Sequence, residues 1–308
     1  MAQTKADRFV SGFVSVLGRP NAGKSTLVNT LVGSKVAIVS SKPQTTRTSI
    51  QAVMNLPGAQ VVFLDTPGVH EAKLLLHRRM MESVKEALQE RDILLWLVDA
   101  SLGLDQADLD ALRILDGNPA PRLLVLNKID LIKDKRQLLP LMDHYRAARE
   151  FQEILPVSAL TGEGLLVLQS AIQATLPEGP RYFPPGYLTD QPERHLAAEL
   201  IREQVLDLTR QEVPHAVAVA VDQWEEKGRL VRIDASIIVE RPGQKKIIIG
   251  AGGNGLKQIG SQARRQMEAL FSKRIYLALF VKVRPGWRQN ASFVNEIDWR
   301  YMGGSESQ

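Results

Sequence analysis

Residues 18–26 read GRPNAGKST, and no other stretch narrows the possible folds as far. G-x-x-x-x-G-K-S stands directly after the apolar run RFVSGFVSVLG and before a helical pattern. That is the context a phosphate-cradling loop requires. Gly18 and Gly23 let the backbone curl so that N–H groups point at phosphate oxygens, with a helix N-terminus behind them. The whole segment, Gly18, Arg19, Pro20, Asn21, Ala22, Gly23, Lys24, Ser25 and Thr26, is therefore the candidate nucleotide cradle. Lys24 reaches the β- and γ-phosphates, and Ser25 offers its hydroxyl to Mg²⁺.

Three further segments follow in order, each at the end of an apolar run. DTPG (Asp65, Thr66, Pro67, Gly68) ends VVFL. A carboxylate there holds Mg²⁺ through its hydration shell, and the Gly68 N–H reaches a γ-phosphate. NKID, with Asn127, Lys128 and Asp130, ends RLLVL. Asp130 can accept from both N1–H and the 2-amino group of guanine; adenine lacks those donors and would leave the carboxylate buried and unpaired. SAL (Ser158, Ala159, Leu160) ends EILPV and can present backbone N–H groups to guanine O6. Four such segments in this order specify a guanine nucleotide, GTP or GDP, with Mg²⁺. In the Ras-like enzymes that these segments resemble, a glutamine after DxxG often orients the attacking water; Val69 stands there and cannot, so the resemblance implies slow hydrolysis without a partner.

The apolar runs of the first 176 residues alternate with helical patterns. Their near-continuous apolarity predicts a mostly parallel sheet covered on both faces, an α/β P-loop domain. Residues 177–194 hold 5 of the chain's 16 prolines and read as a linker. Beyond them, residues 195–300 alternate on one face only, an α+β pattern. Residues 301–308 read as a disordered tail.

Charge is uneven. Residues 241–290 carry 11 Lys and Arg against one acid, Glu268, although the whole chain is only +5. Such a block points to a polyanion, nucleic acid or anionic membrane. Within it, IIIGAGGNGLKQIG contains G-x-G-x-x-G at Gly250, Gly252 and Gly255. A dinucleotide site also needs an acid about twenty positions on, and only Glu268, inside a helical pattern, lies between 250 and 290. The shorter reading is G-x-x-G over Gly250, Ala251, Gly252 and Gly253, the loop with which KH domains clamp about four nucleotides of a single strand. All four are uncharged, so Lys245, Lys246, Lys257, Arg264 and Arg265 would supply the attraction to RNA. By propensity the three isoleucines before the loop form a strand. There is no cysteine, no apolar run long enough to cross a membrane and no secretory pattern, which suits a cytoplasmic protein.

The set GRPNAGKS, PQTTR, DTPG, NKID and SAL resembles the translation-factor-related GTPases of Ras-like fold, and SKPQTTR with ERPGQKKIIIG resembles the Era family. The resemblance spans essentially the whole chain. It implies a GTPase domain over 1–176 and a type II KH domain over 195–300, and it makes KKIIIG a short helix rather than a strand. It implies Thr46 as a further Mg²⁺ ligand, with Thr45 as the alternative, beside Ser25 and Asp65. It adds Thr46 and Asn21 to the catalytic set of Lys24 and Gly68, Asn21 helping to hold an activating K⁺. The implied partners of this monomer are 16S rRNA and the 30S subunit during maturation. A membrane-associated regulatory GTPase, its basic domain on lipid at the inner face, is the alternative.

Overall fold

The computed structural model describes residues 9–69, 74–89, 91–104, 106–209 and 213–300. The tail read as disordered, 301–308, lies outside them. The chain divides into two compact units, the first within Met1–Ala37, Thr46–Glu71 and Met80–Asp190, the second within Ile38–Thr45, Ala72–Arg79 and Gln191–Gln308.

In the first unit the apolar runs become β1 (Val10–Gly18), β3 (Ala59–Asp65), β4 (Ile93–Asp99), β5 (Arg122–Asn127) and β6 (Glu153–Pro156), which pair with one another in parallel. A sixth strand, β2 (Ile50–Leu56), which the apolar runs do not announce, pairs antiparallel with β3. The order is β2-β3-β1-β4-β5-β6. Around this sheet lie α1 (Lys24–Val32), the part of α2 (Leu75–Ala87) from Met80 on, α3 (Gln106–Leu112), α4 (Leu138–Ala148) and α5 (Leu165–Thr175). Val14, Leu27, Val125 and Leu168 belong to one apolar layer, and Leu17, Trp96, Leu124 and Tyr145 to another. Adjacent residues of one strand thus serve both layers, which is why the runs are continuously apolar. The chain goes to one side of β1 for β2 and β3 and to the other for β4. Its carboxyl end is therefore the crevice where open α/β sheets bind ligands.

The proline-rich stretch packs along this unit. Ser11 N donates to Pro177 O (3.1 Å) and Ser11 Oγ to Pro180 O (2.6 Å). Tyr182 and Phe183 donate their N–H groups to Gln60 Oε1 at 2.8 and 2.9 Å, and Val53 N donates to Leu188 O at 2.9 Å. Proline removes donors, but carbonyls and the remaining N–H groups still bind.

The second unit contains α6 (Glu193–Leu208), β7 (Ala218–Lys227), β8 (Leu230–Val239), α7 (Pro242–Ile249), α8 (Asn254–Phe271), β9 (Arg274–Val283) and α9 (Ala291–Glu296). β7 and β8 are antiparallel, β8 and β9 parallel. Ile201 and Val205 of α6 and Ile259, Ala263 and Met267 of α8 close over Val231, Ile233, Ala235 and Ile237, the alternate residues of β8. This is the type II KH order.

The three isoleucines are helical, against the propensity reading. Pro242 fits the first turn, where its missing N–H costs nothing. The Gln244 side chain reaches back to accept from Glu240 N (2.9 Å) and Arg241 N (3.0 Å), a capping box. Ile248 is then buried while Ile247 is exposed, as helical spacing requires. A helix in front of the loop also removes the βαβ unit that a dinucleotide site needs.

Candidate functional sites

The strand ends of the first unit bring the four segments together. Lys24 is buried, its Nζ donating to Gly18 O and Arg19 O at 3.0 Å each. Ser25 Oγ donates to Asp65 Oδ2 (2.6 Å) and lies 2.9 Å from Thr46 Oγ1, which is 3.5 Å from the same carboxylate oxygen. Thr45, the alternative to Thr46, instead donates its hydroxyl to Lys42 O. Asp65 is fully buried, and its other oxygen, Oδ1, has no hydrogen-bond partner. Three oxygen-bearing side chains and an orphaned carboxylate oxygen are what a hard divalent cation such as Mg²⁺ needs.

Burial dominates the electrostatics. It pushes the Asp65 carboxyl up to about 6, against the Ser25 hydrogen bond and the nearby Lys24. It pulls Lys24 down to about 8, against the attraction of Asp65. A cation beside Asp65 favours its ionised form and phosphate beside Lys24 favours the ammonium, so ligand charges reverse both shifts.

Thr66 Oγ1 donates to Val16 O at 2.7 Å and so ties DTPG to β1. Pro67 and Gly68 are buried. A Cβ at Gly68 would lie 2.6 Å from Pro20 N, so only glycine lets this segment meet the P-loop backbone. Val69 N donates to Gly18 O at 3.1 Å.

Asn127 joins three segments: its Nδ2 donates to Ala22 O (2.8 Å) and its Oδ1 accepts from Ala159 N (2.9 Å). Ser158 Oγ donates to Asp130 Oδ1 at 2.6 Å, orienting the carboxylate. Asp130 and Leu160 are exposed. Asn21 is also exposed, with φ 66°. Thr26 lies in the first turn of α1.

Two partners escape sequence reasoning. Lys128, at φ 65°, pairs through Nζ with Asp99 Oδ2 at 2.6 Å. Arg19 pairs with Asp108 at 3.2 Å, which ties the P-loop to α3. Asp99 closes the run DILLWLVDA, and a carboxylate ending a buried strand beside NKID was the available signal.

In the second unit the glycines divide by role. A Cβ at Gly250 would lie 2.9 Å from Gly255 N, and one at Gly255 would lie 2.6 Å from Ile248 O, so these two let α7 and α8 approach. Gly252 and Gly253 have φ 59° and 80°, with open space where a Cβ would stand. Beside them runs a groove of about 430 Å³, lined by Gly253, Leu256, Lys257, Gly260, Ser261 and Arg264 on one side and Tyr276, Leu277 and Leu279 of β9 on the other. Of the predicted basic residues, Lys257 and Arg264 line it; Lys245, Lys246 and Arg265 do not. Lys246 and Arg265 are exposed and Lys245 half-buried.

The comparisons with known proteins fall on the same two regions. A family model described as a 50S ribosome-binding GTPase matches residues 13–128, and a KH-domain model matches residues 212–288. GTPase Era of Syntrophus aciditrophicus is 48% identical over 94% of this chain and 95% of its own length. GTPase Era of Geobacter metallireducens is 47% identical over 94% and 98%. A crystal structure of Era with MgGDPNP and nucleotides 1506–1542 of 16S ribosomal RNA has a TM-score of 0.91 at 40% identity, covering 94% of this chain and 98% of that one. An Aquifex aeolicus Era variant bound to GDP and AlF4⁻ has the same TM-score and identity, covering 94% and 99%.

Proposed function

Because the chain belongs to the Era family of GTPases, we propose that it is a GTP-hydrolysing switch that binds 16S ribosomal RNA through its KH domain. The switch acts in maturation of the 30S subunit, in the cytoplasm. The GTPase domain covers 1–176 and the KH domain 195–300, with 177–194 between them. The observation that carries the reading is the Gly252–Gly253 turn, with Gly252 exposed and no atom within 4 Å of where either Cβ would stand, at the head of a groove with Lys257 and Arg264 on its wall. A bare backbone at that place can press on a sugar–phosphate chain, and two cations can hold it.

In the nucleotide site, Mg²⁺ held by Ser25, Thr46 and Asp65 would neutralise charge on the β- and γ-phosphates. The protein's own part is positioning. Lys24 turns from the Gly18 and Arg19 carbonyls to the phosphates, and the Gly68 N–H meets the γ-phosphate as GTP orders the segment. Asp130, oriented by Ser158, accepts from the guanine edge, while Asn127 holds the P-loop and Ala159 in register with it. Val69 gives the attacking water no hydrogen bond, so intrinsic turnover is slow. Asn21, exposed in the P-loop, would help hold a K⁺, and that ion would supply positive charge beside the phosphates.

The test is a titration of the whole protein with fluorescent single-stranded RNA matching the 16S 3′ end, beside scrambled RNA and anionic vesicles, at two salt concentrations. We expect selective RNA binding that falls at least tenfold in Gly253→Asp, where a carboxylate would meet phosphate. Equal binding to every polyanion, unchanged in Gly253→Asp, would reduce the domain to a charge patch and favour peripheral membrane contact.

A further inference from the structure

We propose that the outer face of the KH sheet is a second RNA subsite, on which bases leaving the groove stack against Tyr276 and Phe280. The proposal rests on the RNA-binding reading above and extends it past the groove.

One face of the sheet packs on α6 and α8. The other carries Tyr276, Ala278, Phe280 and Lys282 of β9, opposite Arg232, Asp234, Ser236 and Ile238 of β8 in register. Tyr276 is 55% and Phe280 54% exposed, although both stand in a strand whose alternate residues, Ile275 and Val281, are buried. Four residues apart, the two rings lie about 13 Å from one another along the strand, room for each to take its own base. Ala278 between them is small and half-buried, so the surface between the rings is a shallow shelf, floored across from Phe280 by the buried Ser236.

The shelf continues the groove. Tyr276 belongs to the groove wall, so a strand passing over the edge of β9 meets this ring first and Phe280 after it. The Arg232 guanidinium already lies 5.5 Å from the centre of the Tyr276 ring, a cation placed between a phosphate and a stacking platform. The rim charges are largely matched: Arg232 pairs with Asp234 at 3.2 Å and Lys282 with Asp222 at 3.4 Å. The groove therefore attracts by charge and the shelf by stacking. An isolated apolar pair on an edge strand would invite protein association. Here continuity with a basic groove, in a stretch with 11 basic residues and one acid, favours RNA.

The experiment uses the full chain and three competing RNAs from the 16S 3′-terminal sequence. One is a core of about four nucleotides, enough for the groove; two are the same core extended by about six nucleotides on the 5′ or the 3′ side. Phe280→Leu keeps an apolar side chain but removes the ring, and Phe280→Trp restores a stacking surface. We expect Phe280→Leu to weaken one extended RNA about tenfold, the order of one base–aromatic stack. The core should be unaffected, Phe280→Trp should recover the loss, and the salt dependence should not change. Equal loss for all three RNAs, or none for any, overturns the subsite. So does a wild-type protein that self-associates in sedimentation while Phe280→Leu does not, with RNA binding equal. Gly253→Asp separates the two readings: if it leaves the core RNA bound, the groove reading fails, whatever Phe280 does.

Discussion

The two sites use polar groups in opposite ways. In the nucleotide site Lys24, Thr46, Asp65, Asn127 and Ser158 are buried, and most of their polar atoms bond to another motif. In the RNA site Lys246, Lys257, Arg264, Arg265, Ala251 and Gly252 are exposed, and what matters is backbone freedom and net charge. A closed network rejects the wrong ligand because any mismatch strands a desolvated group. An open, charged groove accepts any backbone of the right sign and gains selectivity only from the few groups that meet bases. The lesson is one of error tolerance: single changes should be severe in the first site, and graded and salt-dependent in the second.

The largest effect is expected at Asp130. Asp130→Asn should lower affinity for GDP relative to ADP by a factor on the order of 10⁴, because the carboxylate meets two guanine donors. Competition against a fluorescent guanine nucleotide reads this, and a loss below tenfold would show that the network is not what selects the base. A smaller effect is expected at Asn21, an exposed residue of the P-loop beside the buried Lys24. Asn21→Ala should weaken potassium stimulation of hydrolysis by about 10- to 100-fold with GDP affinity unchanged. Full potassium dependence in the variant would remove Asn21 from that role.

The smallest effect is one of pH, and it sharpens the second unit. Burial holds the His195 imidazole below its ordinary value of 6.5, helped by Arg202 and opposed by Glu199 and Asp298. A lowered histidine contributes stability that is complete above its unfolded value and is lost as pH falls through the folded one. Thermal melting should therefore show a loss on acidification below about 6.5 that His195→Gln reduces. An identical acid profile in the variant would place the sensitivity elsewhere.

Much of this was legible in the residues. Four motifs in order at strand ends specified the nucleotide site because each must meet a different part of one ligand, and that order has few other uses. The glycine loop was legible because the acid that binds a dinucleotide's ribose is missing, although Lys282 and Arg284 left a 2′-phosphate site open on sequence alone. Other features were hidden for physical reasons. β2 lies at the sheet edge, in IQAVMNL, where no long apolar run marks it. The strand propensity of Ile247, Ile248 and Ile249 was outweighed by a helix start at Pro242 and Gln244, a signal present in RPGQ. The position of Asp99 at the end of an apolar run marked it as a candidate, but its pairing with Lys128 was hidden because strand order sets that contact. The exposure of Tyr276 and Phe280 was equally invisible, since alternation in RIYLALFVKV shows two faces without showing that one is open.

Charge attraction in the groove acts beside a hydrogen-bonded nucleotide network, and one measurement separates the two most directly. The RNA affinity of the wild-type protein and of Lys257→Ala is followed across a salt series, with GDP affinity measured in parallel. Loss of one phosphate contact from a single strand should flatten the slope of log K against log salt by about 0.7, leaving GDP affinity unchanged. An unaltered slope would contradict the account, because Lys257 would then line the groove without holding the RNA backbone.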